Sequence, residues 1–326
     1  MKKFFAVLLA VLSLGLLAVG FAGCAGGGRY TVAVLQYAEH GSLDNCYEGI
    51  RAGLSERGYG EGVVNFVFYN AKSDDADDST YAKTLINRMP DVAVGIATPS
   101  AYALANAAKG DIPVVFTAVS DPGAEGADFR VFDNVTGSSD KLPVDSQIDL
   151  IKAFLNKGEE TVKIGILYTI AEANSASNIA EFEALAEEKN VEIVSQGVNN
   201  ANEMPTAIDT LISKGVDCFN NLTDNTVVQN LETLLDKADA AGIPVFGSEV
   251  EQVRKGCLAS CSLDYVELGR QTGHMIADIL EGASADDIPY LYLDEGYTVD
   301  YNAETLARFG LALPAAYADA NKVTAE

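Results

Sequence analysis

The sequence predicts an α/β protein built as two doubly wound parallel-sheet lobes with a cleft between them. Three observations carry that expectation. Segment 92–122 reads as a near-continuous apolar strand over 92–97, a polar turn at Thr98, Pro99 and Ser100, a helix over 101–109, and a second apolar strand over 112–116. Unbroken apolar runs suit strands that a parallel sheet covers on both faces. The same grammar returns over 216–251, where Ile243, Pro244, Val245 and Phe246 repeat the Ile112, Pro113, Val114, Val115 and Phe116 of the first unit. The openings also repeat, because strands 31–37 and 161–168 each run into a polar loop and a helix, and 326 residues suffice for about two domains.

At the start of the chain, Lys2 and Lys3 precede the apolar run 4–22, the pattern of a secretory signal. Phe21, Ala22 and Gly23 stand before Cys24 and a Gly-rich stretch, an order that resembles a bacterial lipobox with Phe in place of the more usual Leu. Residues 1–23 are therefore read as a signal peptide, Cys24 as the lipidated residue and 24–29 as a tether, with an uncleaved anchor as the alternative. Strand 31–37, helix 43–58 and strand 63–70 follow. The acidic run at Asp74, Asp75, Asp77 and Asp78 opens the next helix, where the helix dipole favours negative charge. It lacks the spaced oxygen ligands and sixth-position Gly of a calcium loop.

Past Pro122, residues 134–140 form a strand and connector, and Pro143 starts a helix, which places the first interlobe crossing here. The second lobe continues through strand 162–168, helix 176–189, strand 192–196 and helix 204–214 into the repeated segment. Strand 258–263, helix 264–281 ended by Gly282, strands around 290–293 and a polar tail complete the chain.

Composition removes several function classes. A formal charge of −25, from 47 acidic and 22 basic residues, disfavours nucleic acid and anionic lipid surfaces as partners. With two histidines, His40 and His274, a His-rich metal site is excluded, and no CxxC pairing occurs among Cys46, Cys218, Cys257 and Cys261, which are expected as buried free thiols. No cofactor is implied. The sequence lacks GxSxG, a GxGxxG after a strand, and a P-loop, which argues against an enzyme, and the adjacent Glu39 and His40 diverge in a loop rather than converge for acid–base work.

The strand-exit loops supply the candidate binding site, because open α/β sheets bind ligands at the carboxyl ends of their strands. Thr98, Ser100, Thr117 and Asp121 come from the first lobe; Tyr168, Asn174, Ser175, Thr223, Asp224 and Ser248 come from the second. Hydroxyls and backbone N–H groups near the helix start at Ser100 suit a carboxylate. Asp121 and Asp224 are expected to leave equivalent strands of the two lobes and to pair with an ammonium.

Several segments together resemble one family. These are Glu39 and His40 with Leu43 and Asp44; Thr98, Pro99 and Ser100; the run from Phe116 to Pro122; Asn134 to Gly137; Asn174 and Ser175; Thr223 to Thr226; and Asp264 to Gly273. In order along nearly the whole chain, they are similar to bacterial ABC-transporter substrate-binding lipoproteins of the uncharacterised-transporter type, which includes tryptophan-binding members. Gly41 stands where that pattern has Pro. The resemblance implies a type I periplasmic-binding fold whose lobes close on a small solute, an L-amino acid with an aromatic or large apolar side chain. It implies lobe one as 30–140 and 264–286 and lobe two as 141–263 and 287–326, with the helix from Asp264 returning to the first lobe. An ABC permease and ATPase are the implied partners of a lipid-anchored, extracytoplasmic monomer. A ligand sensor partnering a membrane receptor is the alternative on the same fold.

Overall fold

The computed structural model describes residues 29–293 and 296–324; the expected signal peptide, Cys24 and the tether as far as residue 28 lie outside the described residues. In chain order the first part runs β1 (Tyr30–Gln36), α1 (Gly41–Glu56), β2 (Val64–Asn70), α2 (Asp75–Ile86), β3 (Val92–Ile96), α3 (Thr98–Ala108), β4 (Val114–Thr117) and β5 (Val135–Ser139). Next come α4 (Val144–Leu155), β6 (Val162–Thr169), α5 (Ala173–Lys189), β7 (Val191–Val198), α6 (Met204–Ser213), β8 (Cys218–Asn221), α7 (Asn225–Gln229), α8 (Leu231–Ala241), β9 (Val245–Gly247), α9 (Val250–Arg254) and β10 (Ala259–Ser262). The last part is α10 (Tyr265–Leu280), β11 (Leu291–Tyr292), β12 (Thr298–Asn302), α11 (Ala303–Arg308) and β13 (Asn321–Val323).

Two sheets result, ordered β11-β5-β4-β3-β1-β2 and β13-β12-β10-β9-β8-β6-β7. Every pairing in the first is parallel, and in the second only β12 on β10 is antiparallel. The duplication is visible in the strand order: β1, β2, β3, β4 and β5 correspond to β6, β7, β8, β9 and β10.

Strand alternation puts a core on each face. Val32 and Val34 of β1 join Val94, Leu54 and Ile276 on one side. Ala33 and Leu35 join Leu85, Leu104 and Phe116 on the other. In the second sheet Ile164 and Ile166 pack with Phe154 and Phe182, while Leu167 and Phe219 face Ile208 and Leu231. Both faces of both sheets are thus dry, which is why the strands read as apolar runs and only their ends are polar.

The return of α10 to the first sheet depends on glycine. A Cβ on Gly49 of α1 would lie 2.1 Å from the Val266 carbonyl oxygen, and one on Gly269 of α10 would lie 2.1 Å from that of Cys46. Backbone touches backbone here, and no side chain fits between the helices. Tyr265, Leu268 and Ile276 then complete the core against β1 and β3.

Four sequence expectations change. The strand at 291–292, expected with the second lobe, pairs with β5 in the first sheet. The single helix that the repeated grammar of 216–251 implies before Ile243 is two helices. Asn230, at φ −112° and ψ 25°, breaks it, and its side-chain amide donates to the Thr226 carbonyl at 2.8 Å. The polar tail holds β12, α11 and β13, an antiparallel edge with too little apolar content to be read as strands. Helix α3 begins at Thr98 itself, so neither Thr98 nor Ser100 caps it; Ala97 is the cap residue, at φ 77° and ψ 154°. That conformation is nearly closed to residues with a Cβ and places strain at the mouth of β3.

Candidate functional site

The carboxyl ends of the two sheets face each other, and the lobes are closed. Hydrogen bonds cross between them. Ser177 Oγ of α5 donates to Asp121, Ser73 Oγ donates to Gln229 at 2.8 Å, and Asn45 Nδ2 of α1 donates to Glu251 at 3.0 Å. The Ser120 and Thr223 hydroxyls lie 3.3 Å apart, and His40 Nε2 lies 3.4 Å from Asn225 Oδ1. At one edge a crevice of about 710 Å³ brings Ala171 of the second lobe against Asp78, Pro99 and Tyr102 of the first.

The structure sorts the candidate residues. Thr98 is buried at the first position of α3. Ser100 is fully buried and donates to Asp78, whose carboxyl is pushed up to about 6 mainly by burial. Thr117 turns away from the cleft, accepting from Ser138 at 3.0 Å and Thr272 at 3.1 Å beneath α10. Asp121 is a half-buried rim residue that accepts from the Gly123 N–H at 2.9 Å as well as from Ser177. Tyr168 packs against the core of the second lobe. Thr223 sits at the seam, its carbonyl accepting from Asn174 Nδ2 at 3.2 Å. Asn174 Oδ1 and Ser248 Oγ are buried without a partner.

Asp224 has no free lone pair to offer an ammonium. It accepts from the Thr169 N–H at 2.6 Å, the Thr169 hydroxyl at 2.8 Å, Ser175 Oγ at 2.8 Å and the Val227 N–H at 3.0 Å. It holds β6, α5 and α7 together, and Ser175 serves the same knot. The expectation that Asp121 and Asp224 leave equivalent strands also fails. Asp121 follows β4, whose counterpart is β9, whereas Asp224 follows β8, the counterpart of β3.

Four residues at the closed seam were not anticipated. Glu172 is 2% exposed and accepts from the N–H and Nδ2 of Asn225 and from the N–H and hydroxyl of Thr226, at 2.7 to 3.1 Å. Burial, with Asp224 beside it, still pushes its carboxyl up to about 8. Glu249 is 1% exposed and is likewise pushed to about 8, chiefly by burial and then by Asp140, against the bond from Gln252. Asp140 is 2% exposed, raised by burial, and accepts from the Tyr265 hydroxyl at 2.8 Å. His40 is buried and held down near 4 by that burial, so its imidazole is neutral, with Nδ1 unpartnered. One signal was present in the sequence. The repeated Ile-Pro-Val segments align β4 with β9, so the loop matching that of Asp121 is the one carrying Ser248 and Glu249.

A cleft between two doubly wound lobes, closed over buried polar atoms that lack partners, is built to bind a solute and exclude water. Residues 31–316 match the family model described as ABC transporter substrate binding protein. The chain belongs to that family. As a substrate-binding protein it has the type I periplasmic-binding fold and serves a transporter from outside the cytoplasm; among the described residues no helix is long and apolar enough to cross a membrane. Its relatives include a tyrosine-binding protein of Clostridioides difficile, 34% identical over 279 residues, which cover 84% of this chain and 79% of that one. A structure from Streptococcus pneumonia in complex with L-Trp is 33% identical with a TM-score of 0.84, over 91% of this chain and all of that one. A ligand-free, open structure of a substrate-binding protein with adhesive properties from Clostridium difficile covers the same shares at 30% identity, with a TM-score of 0.68. At similar identity the lobes of this protein sit more nearly as in the L-Trp complex.

The four cysteines of the described residues, Cys46, Cys218, Cys257 and Cys261, are free and buried. Burial raises the thiol of each, Cys261 to about 11, so they act as small apolar residues.

Proposed function

We propose that the protein captures an L-amino acid with an aromatic side chain and delivers it to an ABC importer, without catalysing any reaction on it. The observation that carries this reading is the closed seam itself. Buried polar atoms from both lobes, His40 Nδ1, Ser42 Oγ, Asn174 Oδ1 and Ser248 Oγ among them, have no partner among the described residues. Leaving such atoms dry and unpaired is costly, so a polar solute belongs among them. The tyrosine-binding relative and the L-Trp complex favour an aromatic amino acid over a sugar. Burying an aromatic side chain removes about 150–250 Å² from water, worth roughly 4–6 kcal/mol before ordering costs. Backbone N–H groups at the start of α3, where no side chain caps the helix, suit the carboxylate.

The chain contains no tryptophan, so the change in L-Trp emission on binding can be followed without an indole signal from the protein. Titration should show saturable binding of L-Trp or L-Tyr, and calorimetry should rank both above sugars and polyols. A protein that binds a polyol and neither amino acid would overturn the reading. Cys24 carries the lipid in this proposal and a permease and an ATPase are the partners of a monomer; Cys24→Ala should release the protein from membranes, whereas retention there would favour an uncleaved N-terminal anchor.

A further inference from the structure

We propose that Asp140 and Glu249, not Asp121 or Asp224, form the subsite that takes the ligand's ammonium group. The inference rests on the amino-acid reading above and locates one end of the solute. Asp140 lies just past β5 of the first sheet, where the chain crosses to the second lobe, and Glu249 lies just past β9 of the second sheet. Each carboxylate is held by one oxygen only. Asp140 Oδ2 accepts from the Tyr265 hydroxyl, and Glu249 Oε1 accepts from Gln252 Nε2 at 2.6 Å. The other oxygens, Asp140 Oδ1 and Glu249 Oε2, are buried and have no partner among the described residues.

A second observation points to a ligand independently of the two acids. The hydroxyls of Ser42 and Ser248 and the Oδ1 of Asn221 are also buried and unpartnered, and each side chain is at most 1% exposed. Gln252 ties this group together. Its Oε1 accepts from Asn221 Nδ2 at 3.0 Å and from the Ser248 N–H at 3.1 Å, so Ser248, Glu249 and Asn221 converge on one place. Ser42 is brought to the same seam by its helix, because Asn45 donates to Glu251 two residues past Glu249. An ammonium has three N–H donors and no acceptor, so it fits a site whose unpartnered atoms are carboxylate oxygens, an amide oxygen and hydroxyls that can accept. Among the described residues neither carboxylate is in an ion pair; Lys255 is exposed and acts on Glu249 only from a distance. Two buried acids without a counter-charge are unfavourable in the closed form, and a bound cation removes that cost.

The test compares L-Trp with indole-3-propionate, which lacks the amine, on the full chain. The wild type should prefer L-Trp by at least about 100-fold. Asp140→Asn and Glu249→Gln should each weaken L-Trp by about 100-fold while leaving indole-3-propionate within about threefold, so the preference collapses. Ser248→Ala offers a milder probe should an amide variant fail to fold, with a severalfold loss for L-Trp alone. If the preference survives in these variants, or collapses in Asp121→Asn instead, the subsite is wrong although the amino-acid reading stands. If the wild type binds no amino acid, that underlying reading fails and the subsite with it.

Discussion

Substituting Glu249 by Gln should make the empty protein close. In the closed form burial pushes the Glu249 carboxyl from 4.5 to about 8. In an open form the same group meets water and ionises normally. Because the closed value is the raised one, the stabilisation of the empty closed form is complete below about pH 4.5 and is lost as pH rises through about 8. At ~1.4 kcal/mol per pH unit the gap corresponds to about 5 kcal/mol, enough to move a two-state lobe equilibrium from mostly closed to mostly open. The groups that face Glu249 are Asp140 past β5, Glu251 and Lys255 on or beside α9, Cys257 before β10, Tyr265 on α10 and Cys46 on α1. Of these only Lys255 favours the ionised form, and it is exposed. Small-angle scattering on ligand-free protein from pH 5 to 8.5 should show the radius of gyration growing with pH in the wild type and growing much less in Glu249→Gln, with Asp140 supplying the remainder. Saturating L-Trp should keep the wild type compact throughout. A ligand-free wild type whose profile ignores pH, or a variant that follows the wild-type curve, would refute the coupling.

Other expectations concern the frame around the cleft. Asp224→Ala strips the acceptor from four buried donors and should destabilise the protein by about 3–5 kcal/mol, read as a thermal melt lowered by several degrees without ligand. Gly269→Ala drives a methyl into the Cys46 carbonyl and should cost at least about 1–3 kcal/mol in urea denaturation; a neutral result would mean α1 and α10 are not in backbone contact. Ser177→Ala removes the rim bond to Asp121 and should speed L-Trp release about fivefold in stopped-flow fluorescence, with the association rate little changed.

The sheet architecture was legible because each strand declares itself by an apolar run and each exit by a polar loop. The repeated Ile-Pro-Val segments even fix which strands correspond. Side-chain direction at the exits was not legible. Thr117 and Thr98 are both hydroxyl residues at strand ends, yet one points under α10 and the other starts a helix. Alternation along a strand decides this, and a shift of one residue reverses it. The partners of Asp224 are not legible, because a lone sequence cannot display Thr169 and Ser175, 55 and 49 positions away, arriving as donors. Glu249 is hidden for a related reason: a Glu before a short helix looks like a solvated cap, yet the fold leaves it 1% exposed. Strand β12, between β10 and the edge strand β13, is hidden by composition, since Asp300 and Asn302 sit in it rather than a run of valines.

The placement of the two acids also suggests why such a cleft need not close on every solute that enters. In the closed form Asp140 and Glu249 are both buried, and among the described residues no cation pairs with either of them. A neutral solute of suitable size would fill the volume but leave both unpaired, so the closed form would have to bind a proton at Glu249 instead. A solute carrying an ammonium supplies the missing charge and three donors at once. Discrimination then arises in the closing step and not in the first encounter, because in the open form both carboxylates are solvated and indifferent to what lies beside them. A ligand that binds the open lobe without satisfying Asp140 and Glu249 should accordingly compete weakly and fail to shrink the protein, however well its ring packs.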